Sequence, residues 1–146
     1  MKRGLFFLSV FLLINIPLWT QSIGSSEQFS FVGMTLAELI ELFGAPRAVI
    51  AARGSEHWQD DVIFQYADTD FFIHRDRVWQ VRLPAIQGIR TRDRKAAVLL
   101  TLGDTAEDMG DYILFPVSGR DWPLMLRVNL NNSGQVSAIY IYRPDF

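Results

Sequence analysis

The fold is decided by residues 33–46, which read GMTLAELIELFGAP. Thr35 and Glu38 have the spacing of a capping box, in which each side chain binds the other residue's free backbone N–H at the start of a helix. Gly44 suits the left-handed conformation that ends many helices, and Pro46 cannot continue one. We therefore predict a short amphipathic helix here. Its apolar residues share one face: Leu36, Leu39, Ile40 and Phe43.

The same pattern occurs a second time along the chain. Gly88 precedes a helical segment that stops at Gly103, as Gly33 precedes one that stops at Gly44. The opening glycines lie 55 positions apart and the closing glycines 59, and the difference is close to one helical turn. The second helix can therefore be longer than the first without rotating its buried face. Its N-terminal cap is assigned to Thr91 or Asp93. Its apolar stripe is assigned to Ala96, Leu99, Leu100 and Gly103.

Three strands are predicted after each helix. Apolar and polar residues alternate over residues 124–130, as in a half-buried strand, and residues 131–134 tolerate the positive φ of a hairpin turn. The predicted strands are 62–66, 69–74 and 78–83, then 112–117, 124–130 and 135–142. The fold class is thus α+β: two tandem α-β-β-β units, at residues 32–84 and 85–146, form antiparallel sheets with the helices packed on one face.

Two such sheets, joined edge to edge, would leave their second face open. We assign Val81, Leu83, Ile139 and Ile141 to the helix side of the final strands. The residues expected on the opposite face are Gln80, Arg82, Ala138, Tyr140 and Tyr142, with Arg127 and Asn129 from the neighbouring strand. A mixture of tyrosine, arginine and amide side chains is typical of protein-contact surfaces.

Three tryptophans lie outside this set. Trp79 shares the strand parity of Val81, so it is predicted to pack under a helix. Trp58 and Trp122 lie beside loops, where each is either a core plug or an aromatic anchor at the rim of a binding surface.

The N-terminus has the order of an export signal. Basic residues at positions 2 and 3 precede an apolar run, which Asn15 and Pro17 end before small residues follow. We predict a signal peptide at residues 1–24, cleaved after Ser22 or Gly24. An uncleaved anchor at residues 5–19 is the alternative, although a bilayer core requires about 20 apolar residues; a buried cytosolic helix ranks last. Residues 25–31 are predicted to be a mobile polar lead-in.

Composition excludes several classes of function. The 146-residue chain contains no cysteine, which excludes disulfides, thiolate nucleophiles and a lipidated cysteine after the signal. Export without disulfides favours a bacterial envelope or periplasmic location. Without positions 2 and 3, 12 basic residues face 16 acidic ones. This balance is too acidic for a nucleic-acid partner and too mildly acidic to indicate a cationic one.

The opening Gly33-Met34-Thr35, a short helix, and then residues 43–46 (FGAP) resemble the BamE (SmpA/OmlA) family of small envelope lipoproteins, which are associated with outer-membrane protein assembly. The doubled arrangement is similar to the β-lactamase inhibitory protein, whose tandem units grip another protein with an open sheet face. The resemblance implies the fold, the compartment and a protein partner. The chain departs from the BamE pattern because it has no lipidated cysteine and has two units instead of one.

Candidate residues for catalysis or metal binding are few. They form three groups: His57 with Asp60 and Asp61, Asp68 with Asp70, and His74 with Asp76. The first group matches no zinc or calcium loop, and its adjacent aspartates would point apart in a strand. Turn chemistry explains the other two groups better than a paired-carboxylate or acid–base site does. We therefore predict no catalytic residue, no metal site and no cofactor.

These observations favour a non-enzymatic extracytoplasmic protein-binding module, related to envelope or outer-membrane assembly or inhibitor-like. Its expected partner is a periplasmic or outer-membrane protein that contacts the open sheet face and the tryptophan-bearing loops. The alternative is a small-ligand or cell-wall-associated binding protein with a pocket between the two units. A third hypothesis, an enzyme, would require the histidines or aspartates to converge in a cleft.

Overall fold

The computed structural model describes residues 25–53 and 61–146. The predicted signal peptide or anchor, together with His57, Trp58 and Asp60, lies outside the described residues. Within the described ranges, no helix has both the length and the apolar character needed to cross a bilayer.

Helices are short and strands predominate. The helices are α1 (Ser25–Gln28), α2 (Leu36–Phe43) and α3 (Lys95–Leu102), with a 3₁₀ turn at Phe29–Phe31. The strands of the first half are β1 (Ala48–Ala52), β2 (Asp61–Gln65), β3 (Asp70–His74) and β4 (Arg77–Leu83). Those of the second half are β5 (Ala85–Ile86), β6 (Ile89–Arg90), β7 (Glu107–Asp108), β8 (Tyr112–Pro116), β9 (Met125–Leu130) and β10 (Val136–Tyr142).

Eight of these strands form one antiparallel sheet in the order β1-β2-β3-β4-β10-β9-β8-β7, and β5 and β6 form a separate hairpin. This architecture confirms the predicted α+β class. Each half contributes four strands to the large sheet instead of the predicted three. The additional strands, β1 and β7, are its two edges.

The halves meet where β4 pairs with β10. Val81 lies opposite Ile141, and Leu83 lies opposite Ile139. All four side chains are at most 3% exposed and belong to one core that also contains Leu39 of α2. The sheet is therefore continuous across the junction, and the helix side of that junction is filled with apolar side chains.

Equivalent main-chain hydrogen bonds hold the start of each long helix to a hairpin. In the first half they run from Gly33 N to Val78 O (2.7 Å), Val78 N to Met34 O (2.8 Å) and Leu36 N to Asp76 O (3.2 Å). In the second half they run from Arg92 N to Val136 O (2.8 Å), Val136 N to Asp93 O (2.8 Å) and Lys95 N to Gly134 O (2.9 Å). Every group in the second set lies 58 or 59 positions after its counterpart in the first.

This correspondence corrects the predicted opening of the second helical segment, which the glycine pattern places at Gly88. The counterpart of Gly33 is Arg92, and both have positive φ (98° and 75°). Gly88, which the sequence pattern selects, instead lies in the turn between β5 and β6. α3 is consequently not one turn longer than α2, since both helices have eight residues.

The capping box of α2 is confirmed. The Thr35 N–H donates to Glu38 Oε2 (2.7 Å), and the Glu38 N–H donates to Thr35 Oγ1 (3.2 Å). Gly44 ends the helix with φ 73° and donates its N–H to Ile40 O. Ile40 itself is 44% exposed, so the buried face is narrower than predicted.

The predicted cap of α3 is wrong, and its predicted stripe is correct only for Leu99, which packs against the core. Arg94 precedes the helix without a side-chain cap, while Asp93 accepts a hydrogen bond from Arg90 N. Because the helix begins at Lys95, its buried side chains are Val98 and Leu102. Leu100, assigned to the stripe, is 86% exposed.

The segment predicted as a mobile lead-in contributes to the core. Residues 25–31 form α1 and the 3₁₀ turn, and Phe29 and Phe31 are buried. The Phe31 ring contacts Phe43 of α2 and Phe71 of β3, with centroids 5.3 and 5.7 Å away. Burial of the aromatic rings explains why this segment packs against the core. The polar residues before Phe29 make the segment look solvent-exposed in the sequence.

A β-bulge corrects the predicted position of Trp79. The pairing of β3 with β4 shifts register between Phe72 and Ile73, so β4 holds one extra residue there. A bulge breaks the regular alternation of side chains; accordingly Val78 and Val81, three positions apart, are both fully buried. Trp79 therefore lies on the face away from the helices. An equivalent shift occurs in β10.

Candidate functional site

The open face is the side of the large sheet opposite α2 and α3. At its centre, pairing sets Tyr140 between Arg82 and Arg127, and the next row sets Tyr142 beside Gln80. These side chains alternate with the buried core residues of the same strands, so they point away from the helices. The strands thus bring six of the predicted binding residues to one surface: Gln80, Arg82, Arg127, Asn129, Tyr140 and Tyr142.

Aromatic rings hold one another in place on this face. The Phe72 ring lies 6.4 Å from both the Trp79 and the Tyr140 rings, measured between centroids, in edge-to-face arrangements. Trp79 Nε1 also donates a hydrogen bond to Asp61 Oδ1 (2.9 Å), which fixes the indole. Rings held in this way lose little conformational entropy when they contact a partner.

Arg82 is neutralised within the protein. Its Nε donates to Asp70 Oδ2 at 2.8 Å, and a terminal guanidinium nitrogen lies 2.5 Å from the same oxygen. Asp70 is only 7% exposed. A carboxylate buried to this extent requires a hydrogen-bonded charge partner. Arg82 therefore mainly neutralises the buried charge of Asp70, although part of the Arg82 side chain is exposed.

Arg127 has partners of a different kind. Its guanidinium carbon lies 4.1 Å from the centroid of the Tyr112 ring, and its Nε donates to Asn129 Oδ1 at 2.8 Å. No carboxylate among the described residues forms an ion pair with it. A ring face and an amide hold this guanidinium in a defined orientation without neutralising its charge.

The face contains a shallow depression of about 420 Å³, broadly open to solvent. Both halves of the chain contribute to it: Phe72, Trp79 and Gln80 from the first, and Arg127, Asn129, Tyr140 and Tyr142 from the second. It combines apolar ring surface, two amides and one guanidinium. Such a set can bury apolar area, form hydrogen bonds and attract an anion.

Of the two sequence-predicted rim residues, Trp122 lies away from this depression. Trp58 lies outside the described residues. Trp122 packs against the start of α2, where a Cβ on Gly33 would lie 3.2 Å from the indole Cζ2. The guanidinium of Arg143 lies 5.6 Å from the Trp122 ring centroid. The indole N–H of Trp122 is buried and has no hydrogen-bond partner among the described residues.

Three residues of the face were absent from the sequence prediction: Phe72, Trp79 and Tyr112. The alternation in β3 and β8 already places Phe72 and Tyr112 opposite the buried residues beside them, so the signal was available once the register was known. Trp79 could not be found in this way because its position depends on the bulge.

Among the described residues, the histidine and aspartates considered for catalysis lie in turns or have structural partners, although Asp68 and Asp70 both line a second depression. His74 packs edge-on against Phe146, with ring centroids 6.1 Å apart. Asp76 adopts φ 66° in the β3–β4 turn, Asp68 is exposed in the preceding turn, and Asp70 pairs with Arg82. Within residues 25–53 and 61–146, no three histidine or acidic side chains are grouped to hold a metal ion.

No family model matches the chain, and no curated protein matches its sequence. Among solved structures, it is similar to an extracellular protein containing an SCP domain from Bacillus anthracis str. Ames. That match has a TM-score of 0.50 and 9% identity, covers 80% of this chain, and spans 45% of that protein, less than half its length. A DUF4309 family protein (YjgB) from Bacillus subtilis subsp. subtilis str. 168 gives a TM-score of 0.48 with 12% identity, covering 83% of this chain and 93% of that one. The similarity to the SCP-domain protein concerns the fold alone.

Proposed function

We propose that the protein is a non-enzymatic extracytoplasmic module that binds another protein through its open sheet face. The observation that supports this proposal is the cluster around Tyr140, in which aromatic rings and guanidinium groups from both halves of the chain share one exposed surface. Aromatic residues and arginine are the side chains most enriched at the centres of protein interfaces.

The scaffold of the cluster also supports protein binding. Its side chains stand on the central strands β3, β4, β10 and β9, whose opposite face is fully packed. Residues that stand on rigid strands are presented in a fixed arrangement, so less ordering is required when a partner binds. The breadth of the depression suits a protein surface better than a small molecule, which pockets normally enclose.

The location rests on the N-terminal segment. We propose export to the periplasm or the cell envelope, with either a cleaved signal at residues 1–24 or an anchor at residues 5–19. A periplasmic or outer-membrane protein is the partner expected in that compartment. The extracellular location of the SCP-domain protein is compatible with this placement, although that protein shares only the fold.

A pull-down from the envelope fraction tests the proposal. The test variant is Tyr140→Ala/Tyr142→Ala. The control is Leu100→Ala/Met109→Ala, which removes apolar side chains that are 86% and 51% exposed elsewhere on the protein. We expect wild type and control to recover the same partner, and the test variant to recover at least about tenfold less, as for the loss of a hot spot. Equal recovery by a correctly folded test variant would remove the open face from the proposal.

A small-ligand site is the second candidate, because both halves of the chain line the depression. It predicts that a low-molecular-weight ligand from an envelope extract protects the open face in hydrogen–deuterium exchange. Protection that requires a macromolecular fraction would exclude it.

A further inference from the structure

We propose that the partner inserts a carboxylate, from an acidic side chain set among apolar or aromatic residues, beside Arg127. This inference rests on the proposed function, because it specifies the chemistry of the partner at the same face. It depends on the contrast between the two arginines that flank Tyr140.

The first step concerns charge. Arg82 is satisfied by the buried carboxylate of Asp70, whereas the partners of Arg127 among the described residues are a ring and an amide. The central rows of the open face therefore carry one guanidinium whose charge no described carboxylate balances. A partner that covers this surface would desolvate the charge, and an unpaired buried charge is costly. Charge complementarity therefore requires an anionic group from the partner.

The second step concerns geometry. Asn129 holds the Nε of Arg127, and Tyr112 supports one face of the guanidinium plane. No described residue accepts a hydrogen bond from its two terminal nitrogens, and the donors on these nitrogens form the fork that matches a carboxylate. Because both supports are in place before binding, the guanidinium is already oriented for a bidentate contact.

The third step concerns the surroundings. Tyr140 lies beside Arg127 in the sheet, and the rings of Phe72, Trp79 and Tyr142 line the same depression. An isolated small acid would contact the guanidinium and leave most of this apolar surface exposed. A peptide segment with apolar or aromatic residues next to an aspartate or glutamate would cover both, which commits the site to a protein side chain.

Peptide selection tests the inference without knowledge of the natural partner. A random peptide library displayed on phage is selected against the full-length protein and against Arg127→Gln, with Arg90→Gln as the control. Arg90 is an exposed arginine of β6, outside the large sheet, so the control removes the same charge elsewhere. Wild type and control should select peptides with an acidic residue next to aromatic or apolar residues. Arg127→Gln should lose that acidic preference.

The selected peptide then provides a quantitative measurement. Changing its acidic residue to the matching amide should weaken binding to wild type and to Arg90→Gln about tenfold, and leave binding to Arg127→Gln unchanged. Arg127→Lys keeps the charge but loses the fork, and should recover only part of the effect. A small blocked amino acid, N-acetylaspartate amide, should bind at least about a hundredfold more weakly than the peptide.

The outcomes separate this inference from the proposed function. Peptides that lose affinity for Tyr140→Ala/Tyr142→Ala but show no acidic preference would overturn the carboxylate assignment alone. Peptides that are insensitive to that double variant, or a failure to select any peptide, would overturn the binding face and the inference together. Equal affinity for N-acetylaspartate amide and the peptide would show that a small acid is the ligand instead.

Discussion

Replacement of Leu83 by alanine should destabilise the protein far more than the same replacement at Leu100. Leu83 is 3% exposed and lies opposite Ile139 at the junction of the two halves, whereas Leu100 is 86% exposed on α3. Removal of a buried leucine side chain loses its transfer free energy and leaves a cavity, which together cost about 2–5 kcal/mol. Removal of the exposed leucine should change the free energy of unfolding by less than about 0.5 kcal/mol.

The assay is equilibrium unfolding in urea, followed by tryptophan fluorescence and by far-UV circular dichroism. The two probes should give coincident single transitions in wild type and both variants, because β4 and β10 join the halves in one sheet. The midpoint should fall strongly for Leu83→Ala with an unchanged slope. Similar losses in the two variants, or two separate transitions of which only one responds, would refute the shared core.

Three further predictions follow from local features. Gly33→Ala should lower the melting temperature more than Gly44→Ala does. Both glycines have positive φ, but only a Cβ at position 33 would also lie 3.2 Å from an indole carbon of Trp122. Equal shifts in the melting temperature would contradict this packing. The hydrogen bond from the backbone N–H of Thr35, and then the one from its hydroxyl, lower the pKa of Glu38. The charged carboxylate therefore stabilises the fold at pH values above the ordinary glutamate pKa. This stabilisation is lost as the pH falls through the lowered pKa. The stability difference between wild type and Glu38→Gln should therefore shrink on acidification in calorimetry, and a constant difference would contradict it. Changing Arg47 and Arg53, which flank the exposed apolar edge strand β1, to serine should increase self-association in sedimentation velocity, since charges protect sheet edges; an unchanged monomer would contradict this role.

The sequence predicted the class of fold because its strongest signals are local. The capping box at Thr35 and the glycine at position 44 fix α2 through contacts within a few residues. The alternation from Val81 to Leu83 and from Ile139 to Ile141 fixes which side of these strand ends is buried, and hence places Tyr140 on the open face.

The features that sequence could not supply depend on distant contacts. Arg92 has positive φ at the position that Gly33 occupies in the first half, so the pattern of glycines wrongly indicates Gly88. That one error shifted the predicted start of α3 and placed Leu100 in the core. The edge strand β1 is apolar but too exposed to alternate, so its sequence carries no periodic signal.

The candidate site also combines features that local sequence patterns predict with features that depend on distant contacts. The alternation of side chains along each strand is sufficient to place Tyr140, Tyr142 and Gln80 on one face. The neutralisation of Arg82 could not be predicted from the sequence, because Asp70 has the sequence context of a turn residue. Only the pairing of β3 with β4 shows that it lies beside Arg82. The contrast with Arg127, on which the partner chemistry depends, is therefore visible only in the folded protein.

Site-specific photo-crosslinking in intact cells tests the binding face most directly. A photoreactive amino acid is placed at Gln80, in the depression, and in a second variant at Leu100, on the helix side of the sheet. We predict that the probe at position 80 forms a discrete adduct with one envelope protein and that the probe at position 100 does not. An adduct formed equally from position 100, or from that position alone, would contradict the assignment of the open face as the contact surface.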